Sequence, residues 1–198
     1  MQEKQAWKIS GFWALLLVMA LAAGAVISFW RLTLPMIILS VILIILAIVI
    51  ISGITIVQPN KARVIIFFGK YVGSIRESGF FMTVPFSLRP SVSFRVSNFN
   101  SKTLKVNDVA GNPVEIAAVV VYKVVDSAKA IFDVDNYEQF VEIQSETALR
   151  HVATKYPYDN YEEDGYSLRG NAEEVANELT RELQERLAVA GVEVLEAR

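Results

Sequence analysis

The sequence has no cysteine and a single histidine, His151. Without cysteine there is no disulfide framework and no thiolate chemistry, and the absence fits a reducing compartment. A lone histidine, with no second histidine and no carboxylate at metal spacing, makes a poor ligand. On a helical wheel His151 falls in an apolar sector near Phe140 and Gln144, so it is expected to be a partly buried structural residue. There is no GxSxG, no Ser-Lys signature, no Walker loop and no GxGxxG after a strand. Glu162, Glu163 and Asp164 cluster on a tyrosine-rich loop without calcium-loop spacing, and read as solvated acids. No catalytic, cofactor-binding or metal-ligating residue is nominated, and no enzyme is expected.

Charge is also scarce where it is least expected. Arg31 is the only charged side chain between Lys8 and Lys61. The two apolar runs that it separates, 9–30 and 32–57, are each long enough to cross a bilayer as a helix of about 20 residues. Together they form a membrane anchor over residues 1–60. Three topologies are compatible with them. Both runs cross, with WRLTLP as the turn; or the pair dips in from one face as a wedge; or the first run is a cleaved signal peptide, given Lys4 and Lys8 ahead of it and Ala23-Gly24-Ala25 near its end. Lys4 and Lys8 before the runs, and Lys61, Arg63 and Lys70 after them, favour a cytoplasmic main domain. Trp13 and Trp30 suit the membrane interface, Arg31 suits headgroups beyond the turn, and Pro35 suits the first turn of a restarted helix.

Residues 61–198 are of ordinary polarity and form one soluble domain of common size, with a subdivision expected near 100–107. The net charge of −2 hides an asymmetry. Residues 58–105 carry eight basic side chains against Glu77 alone, whereas 106–198 carry eight basic and nineteen acidic ones. A basic stretch beside an anchor attracts anionic lipid headgroups. Lys61, Arg63, Lys70, Arg76 and Arg89 are the candidate lipid-facing residues. So acidic a distal half makes nucleic acid a poor partner.

The periodicities predict several strands, two long helices and a last strand. ARVIIFFG (62–69) reads as a strand. GFFMTVPF (79–86) reads as a buried strand, or as a membrane-dipping tip. SVSFRVSNF (91–99) alternates, with Val92, Phe94 and Val96 on one face. VEIAAVVVYKVVD (114–126) is apolar on both faces, as a covered central strand is. A short helix follows at 126–132. Asp135 and Glu138 have capping-box spacing ahead of a long helix whose apolar sector holds Phe140, Val141, Ala148 and Val152. Asn171 and Glu174 open a second helix with the stripe Val175, Leu179, Leu183, Leu187 and Ala190, and Gly191 fits the position after its end. The class is α+β, a mainly antiparallel sheet with helices on one face, preceded by two transmembrane or membrane-inserted helices.

VQPNKARVIIFFGKYVGSIRESGFFMTVPF (57–86) resembles the start of an SPFH domain, that of the band-7 superfamily of stomatins, prohibitins and flotillins. Residues 108–159 are the stronger match, with the turn Gly111-Asn112-Pro113, the strand around Tyr122, the helix entry Asn136-Tyr137 and Ala148-Leu149-Arg150. Residues 179–198 are similar to the end of the domain. The resemblance implies a membrane-anchored protein with no active site and no cofactor. It implies self-association into large oligomers that scaffold membrane microdomains. Its implied partners are membrane lipids and a membrane protease or other membrane protein, and the alternative role is a regulatory subunit of a membrane protease or channel. Family members usually continue past the last strand into a long coiled-coil helix; the sequence here stops at Arg198, so a closed cage is not expected of residues 1–198 alone.

Overall fold

The computed structural model describes residues 3–159 and 166–198, which form two compact units, Glu3–Val92 and Ser93–Arg198. The acidic cluster Glu162, Glu163 and Asp164 lies outside the described residues. The anchor and the strands that follow it up to Val92 belong to the same unit, and the second unit begins at Ser93.

The first unit opens with β1 (Ile9–Ser10), α1 (Gly11–Phe29) and α2 (Leu34–Gly53). Then come β2 (Ile54–Val57), β3 (Lys61–Phe67), β4 (Lys70–Ile75), β5 (Gly79–Met82) and β6 (Ser91–Ser93), which ends at the unit boundary. Two small sheets result, with strand orders β1-β5-β2 and β4-β3-β6. Ala6, Val57, Ile65 and Ile75 are buried together, with Val72, Phe81 and Val84 packed against them. Ahead of β1, residues 4–6 lie along β4: the Ala6 amide donates to the Ser74 carbonyl (3.1 Å) and the Ser74 amide to that of Lys4 (2.7 Å). Gly73 permits this approach, because a Cβ there would lie 2.6 Å from the Ala6 nitrogen.

The second unit contains β7 (Ser97–Asn100), β8 (Leu104–Asn107), β9 (Pro113–Ile116), β10 (Val119–Val124), α3 (Ser127–Phe132), α4 (Tyr137–Ala153), α5 (Ala172–Leu187) and β11 (Val192–Ala197). β10 is the central strand of the sheet β11-β10-β7, and β8–β9 form a separate hairpin. On α5, Leu179, Leu183 and Leu187 of the expected stripe are buried and Val175 is half-buried; Ala190, just past the helix, is buried, and so are Val141, Ala148 and Val152 of α4. Gly191 follows in the left-handed region (φ +66°), where a Cβ would lie 2.6 Å from the Asp126 carbonyl oxygen. Edge strand β11 is closed by side chains of α5. Gln184 Oε1 accepts from the Val194 amide (2.8 Å) and Thr180 Oγ1 from the Ala197 amide (3.1 Å), which removes donors that another strand would need.

Several local expectations need correction. The alternating stretch 91–99 is not one strand: β6 and β7 belong to different sheets, and Val92 is buried while Val96 is exposed. The apolar stretch 114–126 is likewise broken between β9 and β10. Only 79–82 of GFFMTVPF is a strand, and it is half-buried rather than buried. The cap of α4 is Asn136 rather than Asp135, its Oδ1 accepting from the Glu138 (3.0 Å) and Gln139 (3.2 Å) amides. Asn171 does precede α5, but its side chain accepts from the Ser167 amide (3.2 Å) instead of capping the helix.

Candidate functional site: the membrane anchor and its seat

α1 and α2 pack as an antiparallel hairpin. Gly11, Ala14 and Ala25 are the buried residues of α1, and Ser40, Ala47 and Gly53 those of α2. With half-buried Val18, Leu21, Leu43 and Ile50 they repeat every three to four residues, the spacing of a helix–helix seam. Small residues let the backbones approach closely, which is how helices associate where lipid removes the hydrophobic driving force. Nearly all the large side chains (Leu16, Met19, Ile27, Ile38, Ile45, Ile48) face outward. For a protein in water that is a severe exposure of apolar surface. For helices of 19 and 20 residues, about 30 Å long, it is the surface a bilayer covers.

The turn holds the expected residues. Trp30 ends α1 and is 85% exposed, Leu32 takes a positive φ of 49°, and Pro35 lies in the first turn of α2. Arg31 is exposed there, and Trp13 is exposed near the start of α1.

The base of the hairpin is sewn into the fold by β5, which pairs with β1 on one side (Ile9 with Met82) and β2 on the other (Ile54 with Met82). The chain entering α1 and the chain leaving α2 therefore reach the same small sheet. Two glycines make room: a Cβ at Gly11 would lie 2.5 Å from the Phe80 ring, and one at Gly53 would lie 2.8 Å from the Thr83 carbonyl oxygen. The Phe80 ring meets Phe12 of α1 edge-on at 5.4 Å.

Arg89 locks this base. Its Nη1 donates to the Ile54 carbonyl (2.7 Å), its Nη2 to those of Ser52 and Val84, and its Nε to Ser87 Oγ (2.9 Å). Ser52 and Ile54 lie at the C-terminal end of α2, where carbonyls lack helical partners and the helix dipole favours a cation. Burial, with a smaller contribution from the Arg63 charge, lowers the Arg89 pKa. Arg63 Nη1 in turn donates to the Arg89 carbonyl (3.0 Å). Arg76 forms a two-pronged pair with Glu3.

The five basic candidates thus divide. Arg89 and Arg63 donate to backbone carbonyls, and Arg76 pairs with the Glu3 carboxylate while its side chain stays half exposed. Lys61 and Lys70 have no ion-pair partner among the described residues, and Lys70 is exposed at the β3–β4 turn. Charge counting could not separate the two groups, because the partners are mostly carbonyls distant in sequence.

Sequence reasoning missed an aromatic feature beside Lys70. The turn between β3 and β4 is Phe68-Gly69, both at positive φ (45° and 78°), the geometry of a type I′ turn, which favours Asn-Gly. Phe68 is 89% exposed. Phe86 is exposed too, at φ +57°, with exposed Leu88 bridged to Ile66 of β3. Phe68 lies two residues beyond Ile66 and Phe86 two before Leu88, so both project from one end of this pairing. Of these three exposed apolar side chains, two on strained backbone, Phe68 meets the Phe67 ring edge-on at 4.6 Å, which leaves most of its surface uncovered. The available signal was the phenylalanine ahead of Gly69.

A separate polar cluster joins α4 to α5 in the second unit. His151 is not a partly buried core residue: its side chain is 51% exposed and its Nδ1 lies 2.7 Å from Glu182 Oε1. Arg186 also pairs with Glu182 (2.6 Å), and Lys155 with Glu178 (2.8 Å), which accepts from the Tyr156 hydroxyl as well. The hydrogen bonds from Lys155 and Tyr156 hold the Glu178 carboxyl below its usual range. Burial pushes the Glu182 carboxyl up, but His151 and Arg186 outweigh it and the net direction is down. Each carboxylate is answered by neighbouring donors, the arrangement of a helix–helix clasp. Among the described residues no group of three or more His, Asp or Glu side chains is placed to hold a metal ion.

Residues 55–198 match the SPFH domain / Band 7 family. The chain belongs to that family. A stomatin homolog of Pyrococcus horikoshii is 30% identical over 142 residues, covering 71% of this chain and 53% of that protein. A stomatin homolog of Pyrococcus abyssi is 29% identical over 142 residues, with the same shares. The chain spans about half the length of the curated relatives it matches. In this SPFH protein the matched region begins at Thr55, inside β2 and just after α2. The hairpin and residues 3–10 lie ahead of it, yet those residues supply the strand pairings to β4 and β5. The anchor is thus built into the fold of the first unit rather than strung from it.

Proposed function

We propose that this SPFH protein is a membrane-anchored scaffold that self-associates and organises the membrane around it, with the main domain in the cytoplasm. The observation that carries the reading is the hairpin: two apolar helices, dressed in outward-facing Leu, Ile and Val, with both ends fastened to one sheet. That construction supports an anchor whose two ends share a side of the membrane, as in the two-span and wedge topologies, and it disfavours a detachable leader. Phe68, Phe86 and Leu88, with Lys70 close by in the chain, suit the interface between acyl chains and anionic headgroups. A role in organising and binding, without catalysis, fits the sequence, which lacks the nucleophile, phosphate-binding and metal-binding motifs.

Because the protein has no cysteine, single probes report on sidedness without background. Thr33→Cys is expected to react only from the outer face of intact cells, and Lys102→Cys only after permeabilisation. Labelling of both from the same side refutes the two-span form. Native electrophoresis of gently solubilised membranes is expected to show a large assembly, and a sharp monomer band refutes self-association. The alternative, a regulatory subunit of a membrane protease or channel, predicts a stoichiometric partner in that preparation.

A further inference from the structure

At the end nearer the turn, the hairpin leaves a groove open to the side. Ala22, Ala25 and Phe29 of α1, Trp30 just past its end, and Ser40 and Ile44 of α2 line it, around about 440 Å³. From Ala22 to Trp30 it runs about 12 Å along the helix axis. Ala22, Ala25 and Ser40 are small, which leaves this space between the larger lining side chains. Its walls are apolar, and its one hydroxyl, on Ser40, already donates to the Ile37 carbonyl (2.8 Å). Nothing inside calls for water or a polar ligand. Arg31 follows Trp30 directly, exposed and with no acidic partner among the described residues.

An apolar slot beside an isolated cation is the complement of an amphiphile. A second copy of this anchor would fill the slot but leave the charge unanswered, since no acidic residue occurs between Glu3 and Glu77. We propose that the groove seats one acyl chain of an anionic phospholipid whose headgroup phosphate pairs with the Arg31 guanidinium. Planar guanidinium groups suit phosphate oxygens, and the contact is stronger where water is scarce. The proposal rests on the reading of α1 and α2 as membrane-inserted, and it commits the turn to one leaflet.

The test uses the full chain in phosphatidylcholine nanodiscs containing a trace of phosphatidylglycerol or phosphatidylcholine with a photoreactive acyl chain, the cross-links being mapped by mass spectrometry. In the parent protein, labels should concentrate at residues 22–30 and 40–44, with phosphatidylglycerol favoured about fivefold. Ala22→Phe fills the groove from an exposed position and should remove those labels. Ala20→Phe adds the same bulk elsewhere on α1 and should leave them. Arg31→Gln should abolish the preference for phosphatidylglycerol while acyl labelling persists. Even labelling around the hairpin, indifference to Ala22→Phe, or an undiminished preference in Arg31→Gln overturns the proposal. So does a change of complex mass in Ala22→Phe, which would assign the groove to a second copy. Absence of acyl labels anywhere in 11–53 would instead sink the membrane-anchor reading itself.

Discussion

Replacing Arg89 tests whether the anchor and the strands behind it form one mechanical piece. Arg89→Met keeps most of the aliphatic stem but removes every donor that holds Ser52, Ile54, Val84 and Ser87 together. A hydrogen bond to a charged group is worth about 1.5–3 kcal/mol net. The bonds share one side chain at a partly accessible site, where water replaces some of them, so the sum is not additive. A local loss of about 2–3 kcal/mol is the expectation. It should appear as about 30- to 150-fold faster amide exchange, at roughly tenfold per 1.4 kcal/mol. The reporters are the Thr83 amide, which donates to the Gly53 carbonyl (2.9 Å), and the Leu88 amide, which donates to that of Ile66 (2.8 Å). The Val120 and Val194 amides in the second unit serve as references and should be unchanged. Arg89→Lys should recover less than half of the protection, because one ammonium cannot reach carbonyls spread over two chain segments. Exchange at Thr83 and Leu88 within threefold of the parent protein, measured in nanodiscs, would refute the clamp.

Phe68→Asn places a residue tolerant of positive φ in the β3–β4 turn. It should raise stability by about 1 kcal/mol, read from a thermal melt in detergent, while weakening contact with anionic vesicles; a lower midpoint would show that Phe68 packs in the fold. Gly73→Val should expel residues 4–6 from β4, because its Cβ would meet the Ala6 nitrogen at 2.6 Å, and should open the N-terminal segment to limited proteolysis. An unchanged cleavage pattern would count against that packing. Ser145, buried in α4, has a hydroxyl without a hydrogen-bond partner. Ser145→Ala should therefore stabilise by about 1 kcal/mol in denaturant titration, and destabilisation would reveal a partner such as bound water. The α4–α5 clasp should depend on pH in one direction. Glu178 and Glu182 have lowered pKa values, so their contribution is fully present above the ordinary carboxyl range and fades as pH falls through the folded values. Exchange from the facing turns of α4 and α5 should accelerate below about pH 4. Glu178→Gln should blunt that response, and a flat profile from pH 6 to 3 would exclude the clasp.

What was legible in the sequence rests on periodicity and on long runs. Two stretches of more than twenty residues with one charge between them specify two apolar helices and a corner at Arg31, because a helix is the arrangement that satisfies backbone hydrogen bonds within one such segment in lipid. The 3.6-residue stripe of α5 and Gly191 behind it needed only local geometry. The breaks at 94–96 and 117–118 were not legible, because alternation and apolarity continue through them. Only the competing pairings of β7 with β10 and β8 with β9 decide where each strand stops.

The roles of the charged residues divide in the same way. Sequence by itself determined that the region after the anchor is basic, that the family is SPFH, and that Arg31 stands alone in an apolar stretch. Which cations remain open was decided by tertiary structure. Arg89 reaches carbonyls more than thirty residues away, Arg76 reaches Glu3 across the anchor, and His151 leaves its apolar sector for Glu182 on another helix. A side chain's type is written at its own position, but its partner is set by where the rest of the chain returns, and hydrogen bonds act only over that last 3 Å.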